Sequence, residues 1–243
     1  MRLIPFGLTV LILLTSRPAF AQEWIEYLSK ADFFSISFPG GQATVQETTY
    51  PSEYRITLPA RVYANEGPRG RYSVTVVNYK DTFKLHEERN KKCRAAGGDG
   101  DECQDDGPED MRGALVFASW NFMKRDGVKL THYAHFNSDR VEGHEIHLTN
   151  ADGSRTFGAV HMHDDRLYIL DATVPRGAPA PGLFQISMRF LDSNLRPVRY
   201  EWVGSMLYSN GYPAPPRTGG GRGGGQGRQG GQGQQGDQGQ QGR

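Results

Sequence analysis

Hydrophobic and polar positions alternate with a period of two along much of the chain. In "FFSISFPG", Phe34, Ile36 and Phe38 alternate with serines before the run stops at Pro39-Gly40-Gly41. That is the pattern of a half-buried strand closed by a turn, and "ATVQETTY" is expected as its partner. "YRITLPARVYANEGPRGRYSVTVVNY" reads as two further strands across a Gly-Pro turn, with Tyr72, Val74 and Val76 on one face. "DTFKLHEERNKK" predicts a helix with Asp81 or Thr82 as N-cap, its His86 facing solvent. "GALVFASWNFMKR" is apolar enough for a buried helix, with a strand as the alternative. Four strands joined by tight turns follow: "VKLTHYAHF", "RVEGHEIHLTN", "SRTFGAVHMH" and "RLYILDATV". "PGLFQISMRFLDSN" places Leu183, Ile186, Phe190 and Leu191 on one helical face. Strand runs separated by isolated helices predict an α+β fold, a largely antiparallel sheet with helices packed on it.

Register decides where the histidines go. If Asp152-Gly153 alone forms a two-residue turn, His144 sits opposite His161, an attractive metal pair. If Asn150 opens a three-residue loop with Gly153 left-handed, His144 pairs with Val160 instead. The second register gathers Ile146, Leu148, Val160 and Met162 on one face; the first scatters them. Burial therefore selects the second. A turn at Ser138-Asp139 then puts His132 opposite Glu145, and one at Asp164-Asp165 puts His161 opposite Tyr168 and Met162 opposite Leu167. Leu167 and Ile169 join the apolar face. Glu145 becomes the hub of the other, with His132 across from it, His147 two along and His161 on the diagonal. His132, Glu145 and His161 are thus the candidate ligands of a divalent metal, or Glu145 orients a histidine for proton transfer. The plainer alternative is a carboxylate pairing with surface imidazoles.

The order of these elements resembles the PsbP/Mog1-like group. "FSISFPG", "YSVTVVNY", "RLYILDATVP" and "LFQISMRFLDS" carry that resemblance. It implies a binding or assembly protein rather than an enzyme. "THYA", "LTNADGSRTF" and "RLYI" resemble uncharacterised exported proteins of alphaproteobacteria. That likeness implies export and no known activity.

The two ends change the picture. Arg2, the apolar run Leu3 to Leu14 and Ala19-Phe20-Ala21 have the pattern of a signal peptide over residues 1–21, with the mature chain starting at Gln22. An uncleaved anchor is the alternative, but the apolar run is short for a span. Residues 217–243 are almost entirely Gly, Gln and a few Arg, with nothing apolar to bury. They are expected to be a disordered tail rather than a collagen triplet, which lacks its proline here, or an RNA-binding segment. Between them, residues 22–216 fit one domain. The chain has 28 basic and 27 acidic residues. Leaving out Arg2, Arg17, the four Arg from Arg217 onward and Asp237 leaves 22 basic and 26 acidic, a net of −4. A mildly acidic body argues against nucleic acid and against anionic membrane as partners.

Cys93 and Cys103 are the only cysteines and flank one polar loop, so an oxidising compartment predicts a disulfide. Closing so short a loop stabilises by about 2–3 kcal/mol. Asp99, Asp101 and Asp105 in "DGDECQDDGPED" are candidate calcium ligands, although the EF-hand spacing fails. Trp24, Trp120 and Trp202 are candidates to line a ligand groove. No nucleophile elbow, P-loop or Rossmann glycine triplet is present. The sequence thus points to an exported, non-enzymatic binding or assembly domain of the periplasm or cell envelope, with no cofactor. The alternative is a metal-dependent or His/Glu-assisted enzyme centred on Glu145. A calcium-dependent adhesive loop is a third reading.

Overall fold

The computed structural model describes residues 23–104, 106–201 and 203. The expected signal peptide and the Gly/Gln tail lie outside the described residues. Among the described residues ten strands and three helices run in the order β1 (Trp24–Ser29), β2 (Phe34–Pro39), β3 (Thr44–Pro51), β4 (Thr57–Gly67), β5 (Gly70–Asn78), α1 (Thr82–Ala95), α2 (Gly107–Met123), β6 (Lys129–Ser138), β7 (Val141–Thr149), β8 (Arg155–His163), β9 (Arg166–Val174), α3 (Gly182–Ile186) and β10 (Arg189–Phe190). A short 3-10 turn, Gly100–Cys103, precedes α2. The fold is α+β, and the described strand pairings are all antiparallel.

Seven strands form one sheet in the order β3-β4-β5-β9-β8-β7-β6. Its central strands bury both faces. Toward α1 and α2 lie Ile146, Leu148, Val160, Met162 and Leu167, with Ile169 packed against them. α2 meets them with Ala114, Leu115, Ala118 and Phe122, a stripe at helical spacing. Phe122 comes so close that a methyl group on Gly158 would stand 2.9 Å from its ring. Residues 107–123 are therefore helical, and the strand alternative falls.

The opposite face carries Tyr72, Val74, Phe157, Ala159, Tyr168 and Leu170. A second, three-stranded sheet, β1-β2-β10, lies on it with α3. This layer corrects two expectations. β2 pairs with β1 and β10, not with β3, which instead pairs with β4. The run after Pro181 is helical for only five residues. Leu183 and Ile186 are exposed, while Phe184, Met188 and Phe190 are the residues driven inward. Phe190 belongs to β10, opposite Phe34, where extended backbone completes the small sheet.

A buried carboxylate ties the two sheets together. Asp32, in the β1–β2 turn, accepts from Arg61 at 2.9 Å and from the Tyr63 hydroxyl at 2.5 Å. The Tyr168 hydroxyl donates to its backbone carbonyl at 2.8 Å. Burial, followed by Asp32 itself, pushes the Tyr63 pKa up, so the phenol keeps its proton and donates it.

Close approach of backbone sets one further requirement. A Cβ on Gly143 would lie 2.2 Å from the Val160 carbonyl oxygen and 2.4 Å from His161 Nδ1. Backbone cannot move aside cheaply. Gly143→Ala is expected to cost about 1–3 kcal/mol, read as a lowered urea midpoint at unchanged slope. An unchanged midpoint would show that this strand pair is looser than described.

Candidate functional site

The histidines are placed by three hairpins. At β7–β8, the Asn150 amide donates to the Ser154 carbonyl and the Gly153 amide donates to the Asn150 carbonyl, both at 2.9 Å. Gly153 has φ 80, and Asn150 Nδ2 fixes Ser154 Oγ at 2.8 Å. This is the three-residue loop, and it sets Gly143 opposite His161 and His144 opposite Val160. At β8–β9, Asp164 and Asp165 turn with positive φ, and His161 pairs with Tyr168.

The β6–β7 turn differs from expectation. Asp139 and Arg140, not Ser138 and Asp139, take positive φ. Ser138 stays in the strand because its buried hydroxyl donates to the Met188 carbonyl at 2.8 Å. Arg140 is held outside by the carbonyls of Tyr200 and Glu201. The ladder therefore shifts by two: His132 faces His147, and Ala134 faces Glu145.

Glu145 still lies between two imidazoles. His147 Nε2 stands 2.9 Å from one of its oxygens and His132 Nε2 3.7 Å from the other. The two rings lie 4.7 Å apart, and His147 packs on Phe157 at the same distance. His132 is half-exposed, and Glu145 and His147 are partly buried at the rim.

His161 is not part of this group. It is fully buried between Phe136 and Phe190, at 5.6 and 5.8 Å. The expected trio of His132, Glu145 and His161 is thus divided by the small sheet, which encloses the far end of a face read as open. Among the described residues no group of three or more His, Cys, Asp or Glu side chains stands ready to hold a metal ion. His163 is buried beside it, 2.8 Å from the Tyr200 hydroxyl and packed on Phe190. Burial lowers the pKa of both rings to about 4.

The helix side of the same hairpin holds His144 and His135. His144 Nδ1 lies 2.8 Å from Ser119 Oγ and 3.0 Å from the Tyr133 hydroxyl, and burial lowers its pKa. His135 faces Glu142 at 3.1 Å.

Sequence reasoning missed a second polar centre. His86, expected in solvent, is fully buried and meets the equally buried Asp110 at 2.9 Å. Ser52 donates to the same carboxylate oxygen at 2.5 Å. Thr82, His86 and Asn90 recur every four residues, so α1 buries a polar stripe. The spacing was a visible signal, but its residue types were not apolar. Arg89 extends the centre by donating to Asp106 at 2.6 Å. Ser52, Thr82, His86, Asn90, Asp106 and Asp110 are buried, while Arg89 is partly exposed at the margin.

The acidic loop is therefore split. Asp106 and Asp110 turn inward to Arg89 and His86, and Asp99 is exposed. Asp101 is in the 3-10 turn, and Asp105 lies outside the described residues. Cys93 and Cys103 are at disulfide distance, Cα–Cα 5.7 Å, and tie the end of α1 to that turn. Trp24 packs edge-on against Tyr72, Trp120 is exposed on α2, and Trp202 lies outside the described residues.

A wide concavity lies elsewhere. At the end of the sheet bearing the β4–β5 and β7–β8 turns, an open groove of about 810 Å³ is lined by Arg71, Arg125, Asp126, Asn150 and Asp152 among others. Arg125 pairs with Asp171 at 2.8 Å beside it. No helix among the described residues is long and apolar enough to cross a membrane.

No family model and no curated protein matches the chain. Among solved structures it is similar to cyanobacterial PsbP (CyanoP) from Synechocystis sp. PCC 6803. The two share 9% identity at a TM-score of 0.40, over 72% of this chain and 96% of that one.

The buried histidines fix a pH response. Their folded pKa of about 4 lies below the unfolded value of about 6.5. Between those values the unfolded chain binds protons that the folded chain refuses, so stability falls as pH drops from 6.5 toward 4. The two rings act in the same direction, so the slope is steepest between those two pKa values. His161→Phe, which removes one of these rings, is expected to make that slope shallower. Urea unfolding from pH 7 to 5 measures this, and an unchanged slope in the variant would remove His161 from the account.

Proposed function

We propose that the chain is an exported, non-enzymatic binding or assembly domain whose contact face includes the groove at the turn end of the large sheet. One observation carries this reading: the wide groove and the groups with the most strongly shifted pKa values are in different places. His161, His163, Tyr63 and Tyr168 have strongly shifted pKa values because they are shut in the core. Enzymes bring such groups to a cleft where substrate reaches them. The groove instead presents paired and solvated charges on turns, suited to a polar surface of either sign. The disulfide-distance cysteines and the signal-like leader support an oxidising, exported setting.

The test is a photo-crosslinking residue at Ala151, on the groove turn, introduced in the native host and compared with one at exposed Leu183 on the other layer. A discrete adduct from Ala151 and none from Leu183 is expected, in protein recovered from the envelope fraction with Gln22 at its N-terminus. Equal labelling from both positions, or recovery in the cytoplasm with the leader intact, would reject the reading.

Glu145 supports a second reading, metal-dependent or His/Glu-assisted chemistry, because each of its oxygens faces an imidazole nitrogen. Elemental analysis of purified protein separates the two. Stoichiometric divalent metal lost on Glu145→Ala is what the second reading requires of a metal. Metal-free protein whose melting temperature is unmoved by that substitution leaves the carboxylate a surface partner of two histidines.

A further inference from the structure

Among the described residues the large sheet ends in two unpaired edges that differ in kind. β3 carries Glu47 near its middle, 82% exposed at its side chain, and ends in Pro51. Two copies of β3 laid side by side would bring their Glu47 carboxylates together. Charge and proline at an edge are common protections against strand pairing. β6 is ten residues long, is paired among the described residues to β7 alone, and exposes most of its length. From Lys129 to Asp139 it has no proline, and its only permanent charges are one at each end, of opposite sign.

An apolar surface continues from this edge onto the helix layer. Tyr133 and Leu130 point to the helix side, opposite Ile146 and Leu148. Tyr133 reaches α2 through His144 and Ser119, at 3.0 and 2.8 Å. Val116 and Trp120 flank Ser119 on that helix. All four large side chains are exposed, Trp120 by 56% and Tyr133 by 45%. Such a patch beside an unpaired edge is unusual on a solitary surface.

We propose that β6 is a dimer interface, in which two copies of this chain pair β6 to β6, antiparallel about a twofold axis, into one continuous fourteen-stranded sheet. Antiparallel overlap keeps the two Lys129 side chains at opposite ends of the shared seam. The twofold also brings both α2 helices to the same side, where Trp120 and Tyr133 of the two copies cover each other. A ten-residue strand is about 33 Å long, and the sheet plus its helix layer about 20 Å deep. The face thus offers on the order of 700 Å² per copy, near the ~800 Å² of a standard interface. This occupant needs neither the groove nor any ligand of it.

Sedimentation velocity of the full chain over about 1–200 µM tests the proposal. A monomer–dimer equilibrium with micromolar Kd is expected. Tyr133→Lys should weaken it at least tenfold, and Val45→Lys on the β3 edge should leave it unchanged. Trp120→Glu is the second variant should Tyr133→Lys not fold, and it is expected to weaken the dimer likewise. A chain that stays monomeric throughout, or a dimer indifferent to the β6-side charges or equally sensitive to Val45→Lys, overturns the proposal.

Discussion

The loop from Asn150 to Ser154 is the constraint on which the rest of the structure depends. It fixes which residue of β7 faces which residue of β8, and a slip of one would exchange every side chain between the two faces. With Gly153 left-handed and Asn150 tied to Ser154 and Thr156, Ile146 and Val160 go under the helices. Phe157, Ala159 and His161 go to the other side. From that one choice follow the seat for Phe122 over Gly158 and the aromatic enclosure of His161. The opening beside Gly143 that admits His161 follows as well.

Much of this was legible because burial and turn chemistry agree. Asn at the first turn position and Gly at the left-handed one favour the same register as the apolar pairs Ile146, Leu148, Val160 and Met162. Where the two signals did not agree, reading failed. At β6–β7 both Ser138-Asp139 and Asp139-Arg140 offer polar turn residues, and only a distant acceptor, the Met188 carbonyl, keeps Ser138 in the strand. No local pattern contains that contact. The error moved His132 from opposite Glu145 to opposite His147.

The second failure was one of layers. Alternation along β7, β8 and β9 shows that one face is apolar, not whether the other meets water. Here its central part is covered by β1, β2, β10 and α3, so His161 and His163 are core residues while Glu145, nearer the end, remains at the rim. A small sheet built from both ends of the domain is a long-range fact. The short helix that precedes β10 was overestimated for the same reason: Phe190 looked periodic with Leu183 and Ile186, yet it is pinned by Phe34.

Both buried polar centres follow one rule from opposite sides. A buried charge costs free energy unless it is paired, and removing one partner of a buried pair costs several times what a surface pair contributes. Asp110 is paired by His86 and Ser52, and Asp32 by Arg61 and Tyr63. His161 takes the other course and remains a neutral ring among aromatic ones. A helix whose inward stripe is Thr82, His86 and Asn90 cannot be recognised by hydropathy, and the burial of His86 is supported by an acid on a neighbouring helix. Both centres lock layers together: Asp110 joins the two helices, and Asp32, beside a small open pocket, joins the two sheets. The surfaces left for recognition are a groove of paired charges and an unprotected strand edge, and both present backbone turns, apolar area and fixed charge rather than a reactive atom.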